Sequence, residues 1–322
     1  MQATHAKPSN VAMFFTVDGE DGQPVGGLTA ESFRIYEDDQ LVSITESRQT
    51  ILNPEVAAEH FTMLLVDMSG SVTESDAVPL IADAAAQFTA SVEAQQQVGV
   101  YAFDGSADIH EIQPFRRARS GASGGVGSLR GFRTRDPSTN LNGAIVQAVR
   151  KLDEAMASSE SPLTFGTLVV FSDGSDRAAR VSQRDMNRAL RDAAFDVFAI
   201  GVGTEIDEET LSKVGLTGYV LIEDTSAVTE AFTAIGQRIL AQTKRFYLLS
   251  YCSPARAGRH EVTVEAIVGE STGSTSYEFD ATDFGPDCDP NRPPEFEAGD
   301  DAQRQWRVRR GGRGGAVRID VN

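Results

Sequence analysis

The chain is poor in the residues that bind soft metals: 322 residues hold two cysteines, Cys252 and Cys288, and four histidines, His5, His60, His110 and His260. No histidine stands in a metal-ligand spacing, so the chain does not offer the soft or nitrogen ligands that zinc prefers, and the four read as surface or satisfied structural residues. Both cysteines lie in the C-terminal part; in an exported protein such a pair often forms a disulfide, in the cytosol it stays as two thiols, and spacing alone leaves both readings open. No stretch reaches the roughly 18 apolar residues of a membrane helix. The opening MQATHAKPSN also lacks the apolar core of a signal peptide. A soluble chain is expected, and a start in Thr, His, Pro, Ser and Asn fits equally one whose export signal has been removed.

Basic residues are scarce. Against 47 acidic side chains stand 29 basic ones, a net charge of −18, which makes nucleic acid a poor partner and favours solubility or cation binding. The imbalance is sharper in the body, because residues 302–322 carry six arginines and one aspartate. That tail, RQWRVRRGGRGGAVRIDVN, reads as a terminus without a fold of its own, or as an Arg-Gly segment drawn to acidic surfaces.

The chain is long enough for one large domain or two ordinary ones. Residues 11–51 read as short strands and turns: VAMFFTV, the turn-rich DGEDGQPVGG, then FRIYEDDQLVSITES. That is about three strands, too few for a stable sandwich on their own. From residue 61 to about 243 strands alternate with helices, the mark of a mostly parallel sheet covered on both faces. Its strands are TMLLVD, QVGVYAF, GTLVVFSD, DVFAIGVG and GYVLIE. One helix carries Ile145, Ala148, Val149, Leu152 and Ala155 at helical spacing. After residue 244 strands return in RFYLLSYCSP, RHEVTVEAIVG and STSYEFDATDF. The expected organisation is therefore a doubly wound α/β domain at residues 57–243, inserted into a β-sandwich formed by residues 1–56 and 244–286, with a Pro/Gly/Arg-rich tail at 287–322.

In an open parallel sheet, ligands bind beyond the carboxyl ends of the strands. Three such places carry oxygen donors: Asp67, Ser69 and Ser71 in TMLLVDMSGSV, Thr139 in STNLNGAI before a helix, and Asp173 in VVFSDGSD. Hydroxyls, carboxylates and retained waters suit a hard dication such as Mg²⁺. Taken alone, Ser69 and Ser71 equally fit helix N-caps. Asp104 after VGVYAF and Asp176 after Asp173 read as turn and solvated-loop carboxylates, although Asp104 shares the sheet edge and can tune the site. GASGGVGS at 121–128 lacks the lysine and context of a phosphate loop, and GVG at 201–203 lacks the third glycine of a dinucleotide site.

Asp-x-Ser-x-Ser after the first strand, Thr139 with Leu141 and Ala144 behind it, and a later apolar strand ending in Asp-Gly together resemble the von Willebrand factor A domain and its metal-ion-dependent adhesion site. DVFAIGVGTEIDEETLSKV and GYVLIED extend the likeness over roughly residues 61–243. The resemblance implies that Ser69, Ser71 and Thr139 bind a cation (Mg²⁺, or Mn²⁺ or Ca²⁺) through hydroxyls. Asp67 and Asp173 would hold it directly or through water, leaving one position for an Asp or Glu of a partner protein. VDGEDGQPVGGLTAESFRIYEDDQ is similar to the start of bacterial proteins related to that family, with the pattern DxxGxPVxGLTxxDFxVxEDG, although Ser32 and Asp39 replace its Asp and Gly.

The function expected is a metal-dependent protein-binding or adhesion module outside the cytoplasm: periplasmic, surface-bound or secreted. The alternative is a cytosolic subunit serving an AAA+ ATPase in complex assembly. An enzyme is disfavoured, because no Lys, His or Arg is tied to the site by motif.

Overall fold

The computed structural model describes residues 1–52, 54, 58–117, 125–161, 163–204, 206–292 and 294–296, and the backbone of 317–318. The chain divides into two compact units. The first takes Met1–Ala58, Ser161–Leu163 and Ala241–Gly311; the second takes Glu59–Glu160, Thr164–Leu240 and Gly312–Asn322.

The second unit is an α/β layer built on a seven-stranded sheet. Its strands are β6 (Ala58–Asp67), β7 (Gln97–Phe103), β8 (His110–Arg116), β9 (Leu163–Ser172), β10 (Asp196–Val202), β11 (Gly218–Ile222) and the two-residue β15 (Val317–Arg318). The order is β15-β11-β10-β9-β6-β7-β8. β6 and β7 pair in parallel, β9, β10 and β11 likewise, and β8 runs antiparallel at the edge. The sequence reading does not anticipate β8. HEIQPFR holds Pro114 and little alternation, and an edge strand tolerates a proline where a central one does not.

Alternate residues of β6 serve opposite faces, as a two-residue period requires. Leu64 and Val66 join one core with α2 (Val78–Glu93) and α6 (Val228–Lys244). Met63 and Leu65 join another with α3 (Leu141–Ala157), α4 (Gln183–Asp192) and α5 (Glu208–Val214). These four β6 side chains are fully buried, each contributing roughly 1.5–3 kcal/mol, which exceeds the cost of fixing its backbone, about 1–2 kcal/mol. The strand that ends in Asp67 is thus held firmly on both sides. On α3 the expected stripe faces the core: Ile145, Ala148, Val149 and Leu152 are buried, and Ala155 packs against them partly exposed.

The first unit holds two four-stranded antiparallel sheets, each drawing on both ends of the chain. One has the order β1 (Gln2–Ala6), β2 (Asn10–Thr16), β12 (Phe246–Cys252), β5 (Thr50–Leu52); the other runs β14 (Ser271–Asp280), β13 (Arg259–Val268), β3 (Phe33–Glu37), β4 (Gln40–Leu41). Val11, Met13 and Leu249 from the first share one buried cluster with Phe33, Ile35, Val262 and Val264 from the second. The alternation read in HEVTVEAIV is this inward row. Asp38 and Asp39 both adopt positive φ (49° and 64°) in the two-residue turn between β3 and β4, a primed hairpin geometry that Asp tolerates. Cys252 and Cys288 form a disulfide, with Cα atoms 5.7 Å apart. The Arg-Gly tail, apart from the backbone of β15, lies outside the described residues.

Candidate metal centre

The strand order reverses at β6: the chain moves outward through β7 and β8, then returns to β9 on the other side of β6. Such a switch point leaves a crevice beyond the carboxyl ends of the strands. Three loops meet there, from β6, from the segment before α3, and from β9.

Hydrogen bonds tie these loops together. Gly70 N donates to Pro137 O at 2.9 Å, and Arg177 N and Ala178 N donate to Thr139 O at 2.9 and 3.0 Å. Thr73 Oγ1 lies 2.7 Å from Thr134 Oγ1, which donates to Met68 O at 2.8 Å. Close approach explains the glycine between the two serines. A Cβ on Gly70 would stand 2.9 Å from Pro137 Cβ and 3.0 Å from its carbonyl oxygen.

Asp67 is fully buried. Its Oδ1 accepts from Ser69 N at 2.9 Å and its Oδ2 from Ser172 Oγ at 2.7 Å. Burial pushes its carboxyl up to about 7, the negative charge of Asp173 adds to the rise, and the Ser172 and Ser69 hydrogen bonds oppose it. A second carboxylate close enough to raise the proton affinity of Asp67 makes the pair a natural seat for a cation.

Ser69 occupies the N-cap of the four-residue α1 (Gly70–Thr73), yet its side chain makes no capping bond. Its hydroxyl instead lies 3.3 Å from that of the exposed Ser71. The N-cap alternative for Ser69 thus fails. Thr139 is buried, 4% exposed, and its hydroxyl bonds to no other group among the described residues. The five sequence candidates are thereby carried on three mutually bonded loops. They are all oxygen donors, which fits a hard cation. Among the described residues no three His, Cys, Asp or Glu side chains group as metal ligands, so a cation here would depend on the hydroxyls.

Some residues that support this rim escape the sequence reading, and Asp104 and Asp176 do more than it assigns them. Asp104 is no simple turn aspartate: it is fully buried, and it accepts from Ser106 N at 2.8 Å and from Arg135 N at 2.7 Å. Burial works against its charge, but bonds from Ser106, Arg135 and Asp136 outweigh it and hold the carboxyl below its ordinary value. Asp136 accepts from Ser138 Oγ at 2.7 Å and from Arg180 Nη2 at 2.9 Å, while Arg180 Nε donates to Gly105 O at 2.6 Å. A Cβ at Gly105 would collide with Ser138 Oγ and Asp136 Cγ. Asp176 Oδ1 accepts from Asn142 N at 3.1 Å in the first turn of α3, so it caps that helix from another loop. The one available signal was the density of Asp and Ser at strand ends.

Three of the four histidines have partners away from these loops. His5 meets Tyr277, His60 stacks on Phe165 and His260 bonds Asp38; His110 stands 3.7 Å from Asp104. Of GASGGVGS, residues from Gly125 onward begin a 3-10 helix with Val126 and Leu129 buried, and the rest lies outside the described residues.

The family model for the von Willebrand factor type A domain matches residues 63–235, more than half of the chain. The chain belongs to that family, whose domains are typically non-enzymatic modules for protein interaction. No curated protein matches. Among solved structures, a von Willebrand factor type A protein from Catenulispora acidiphila is 12% identical, over 87% of this chain and 75% of that one, with TM-score 0.46. The ArnB paralog VWA2 from Sulfolobus acidocaldarius is 14% identical over 92% of this chain and 78% of its own, with TM-score 0.40. Proximal thread matrix protein 1 from the mussel byssus, with a zinc-occupied MIDAS motif, is 14% identical over 57% of this chain, with TM-score 0.47; the match spans 48% of that protein.

Proposed function

We propose that Asp67, Ser69, Ser71, Thr139 and Asp173 hold one divalent cation, Mg²⁺ or else Mn²⁺ or Ca²⁺, and that the loaded rim binds an Asp or Glu side chain of a partner protein. The observation that carries this reading is Ser69, whose hydroxyl forgoes the cap bond its position offers and stands beside Ser71 and the Asp67 loop. When bound, the cation supplies positive charge and a coordination position for an incoming carboxylate. Asp67 and Asp173 hold the negative charge that attracts it. Ser69, Ser71 and Thr139 add neutral oxygens, so the site leaves part of the cation's charge for the partner. Ser172 orients Asp67, and the bonded loops keep Thr139 within the rim.

An adhesion module of this kind belongs outside the cytoplasm, on the surface, in the periplasm or secreted. The Cys252–Cys288 disulfide supports an oxidising compartment over the cytosolic role beside an AAA+ ATPase.

Calorimetric titration with MgCl₂ and MnCl₂ tests the reading. The native chain is expected to bind one cation and Thr139→Ala and Asp173→Ala none, with melting temperatures in EDTA close to native. Equal titration curves for native chain and variants reject it.

A further inference from the structure

The first unit holds a cavity of about 570 Å³ beside the β3–β4 turn, lined among others by Glu37, Val42, Arg48, Cys252, Arg256 and Cys288. That is the size range of small-ligand pockets, and nothing in the family reading uses it.

Its wall combines opposite charges that the protein leaves open. Glu37 is only 6% exposed. One of its oxygens accepts a 2.7 Å bond from the hydroxyl of Tyr251, which is fully buried, and the other has no donor among the described residues. A carboxylate this buried normally has a cationic partner, because isolated burial is costly; among the described residues Glu37 makes no ion pair, and His260, which feels its charge, is bonded to Asp38. Arg48 donates through Nη1 to Cys288 O at 3.1 Å, and Arg256 through Nη1 to Ser253 O at 2.8 Å. Neither guanidinium makes an ion pair among the described residues. Each keeps further N–H donors in the fork geometry that matches a carboxylate.

The other charges are spent or solvated. Asp38 pairs with His260 at 2.7 Å, and Glu46 and Asp287 are exposed at the rim. The backbone is also held away from its preferred states here. Arg48 has φ of 52°, and such a residue persists where the surroundings over-determine it, commonly at ligand sites. Leu41 and Ile44, two of the large apolar side chains left exposed, belong to the same stretch of chain.

We propose that this cavity is a second binding site, for a small zwitterion of the amino-acid or short-peptide class, with the ammonium on Glu37 and the carboxylate on Arg48 and Arg256. Apolar side chains of the ligand would lie against Val42 and Leu41.

The test is calorimetry on the full, oxidised chain with glycine, alanine, Gly-Gly and Gly-Gly-Gly, and with N-acetylglycine and glycinamide as blocked controls. At least one free zwitterion is expected to bind, and the blocked forms about tenfold more weakly, the loss of one charge-assisted hydrogen bond. Glu37→Gln, which keeps an acceptor for Tyr251, and Arg48→Ala should each weaken binding about tenfold, with Mg²⁺ binding unchanged. If Glu37→Gln fails to fold, the exposed Arg48 carries the test. No binding at millimolar concentration, equal binding of free and blocked forms, or indifference to Arg48→Ala overturns the proposal.

Discussion

Ser172 donates a 2.7 Å hydrogen bond to the buried Oδ2 of Asp67, joining the last residues of two adjacent strands. Ser172 Oγ also accepts from Gly174 N at 3.3 Å and lies 3.0 Å from Gly174 O, so it fixes the turn that carries Asp173. Removing the hydroxyl frees both carboxylates of the rim at once. Ser172→Ala should therefore weaken Mg²⁺ binding about 10- to 100-fold, the usual effect of losing a group that orients a metal ligand. Calorimetry checks the affinity, and circular dichroism the fold.

Asp67 gives the site a pH dependence. Its carboxyl stands at about 7 in the fold, raised by burial and by Asp173, against about 3.9 in an unfolded chain. A raised carboxyl favours the protonated folded state, so its stabilising contribution is complete below about pH 4 and is lost as pH rises towards 7. In EDTA the melting temperature should fall across that window for the native chain and less for Asp67→Asn. Added Mg²⁺ should remove much of the fall, and cation binding below pH 7 should release a proton, seen as a buffer-dependent heat.

Arg180 is half-exposed, yet it ties Asp136 to the carbonyl of Gly105. An exposed pair contributes at most about 1 kcal/mol to stability, so Arg180→Ala should shift chemical denaturation only slightly. The loop before Thr139 would loosen, and Mg²⁺ affinity should drop severalfold. A large loss of stability with unchanged affinity would assign Arg180 a structural role instead.

How much of this was legible in the sequence depends on the range of the interactions. The strands of the α/β unit showed as apolar runs, because burial on both faces leaves no alternation to obscure. Asp67, Ser69 and Ser71 showed because one short loop carries all three. Thr139 and Asp173 showed as oxygen donors beside strand ends, but joining them to Asp67 rested on the sheet order, which alone brings their loops to β6. Ser172, Asp136 and Arg180 could not be read, because their roles consist of hydrogen bonds to groups distant in sequence that ordinary polar residues make anywhere; Asp104 showed only as a carboxylate on the same sheet edge. β8 was lost to Pro114, and the β3–β4 turn was obscured where Asp39 stands in for glycine.

The two-unit organisation yields a further expectation. We propose that residues 57–243 fold independently within a sandwich assembled from the two ends of the chain. β12 pairs with β2 and β5, and β13 with β3, so deleting residues 1–55 strips both C-terminal strands of these N-terminal neighbours. Hydrogen exchange should show residues 245–284 unprotected in that deletion, while residues 61–243 keep native protection. Retained protection of 245–284 would contradict the insertion.

The most direct measurement is anomalous X-ray diffraction from crystals soaked in MnCl₂. The account predicts a single strong peak within roughly 2–2.5 Å of the hydroxyls of Ser69, Ser71 and Thr139, with Asp67 and Asp173 in contact directly or through water. A map with no peak among these five side chains, or with the manganese held elsewhere on the molecule, would contradict it.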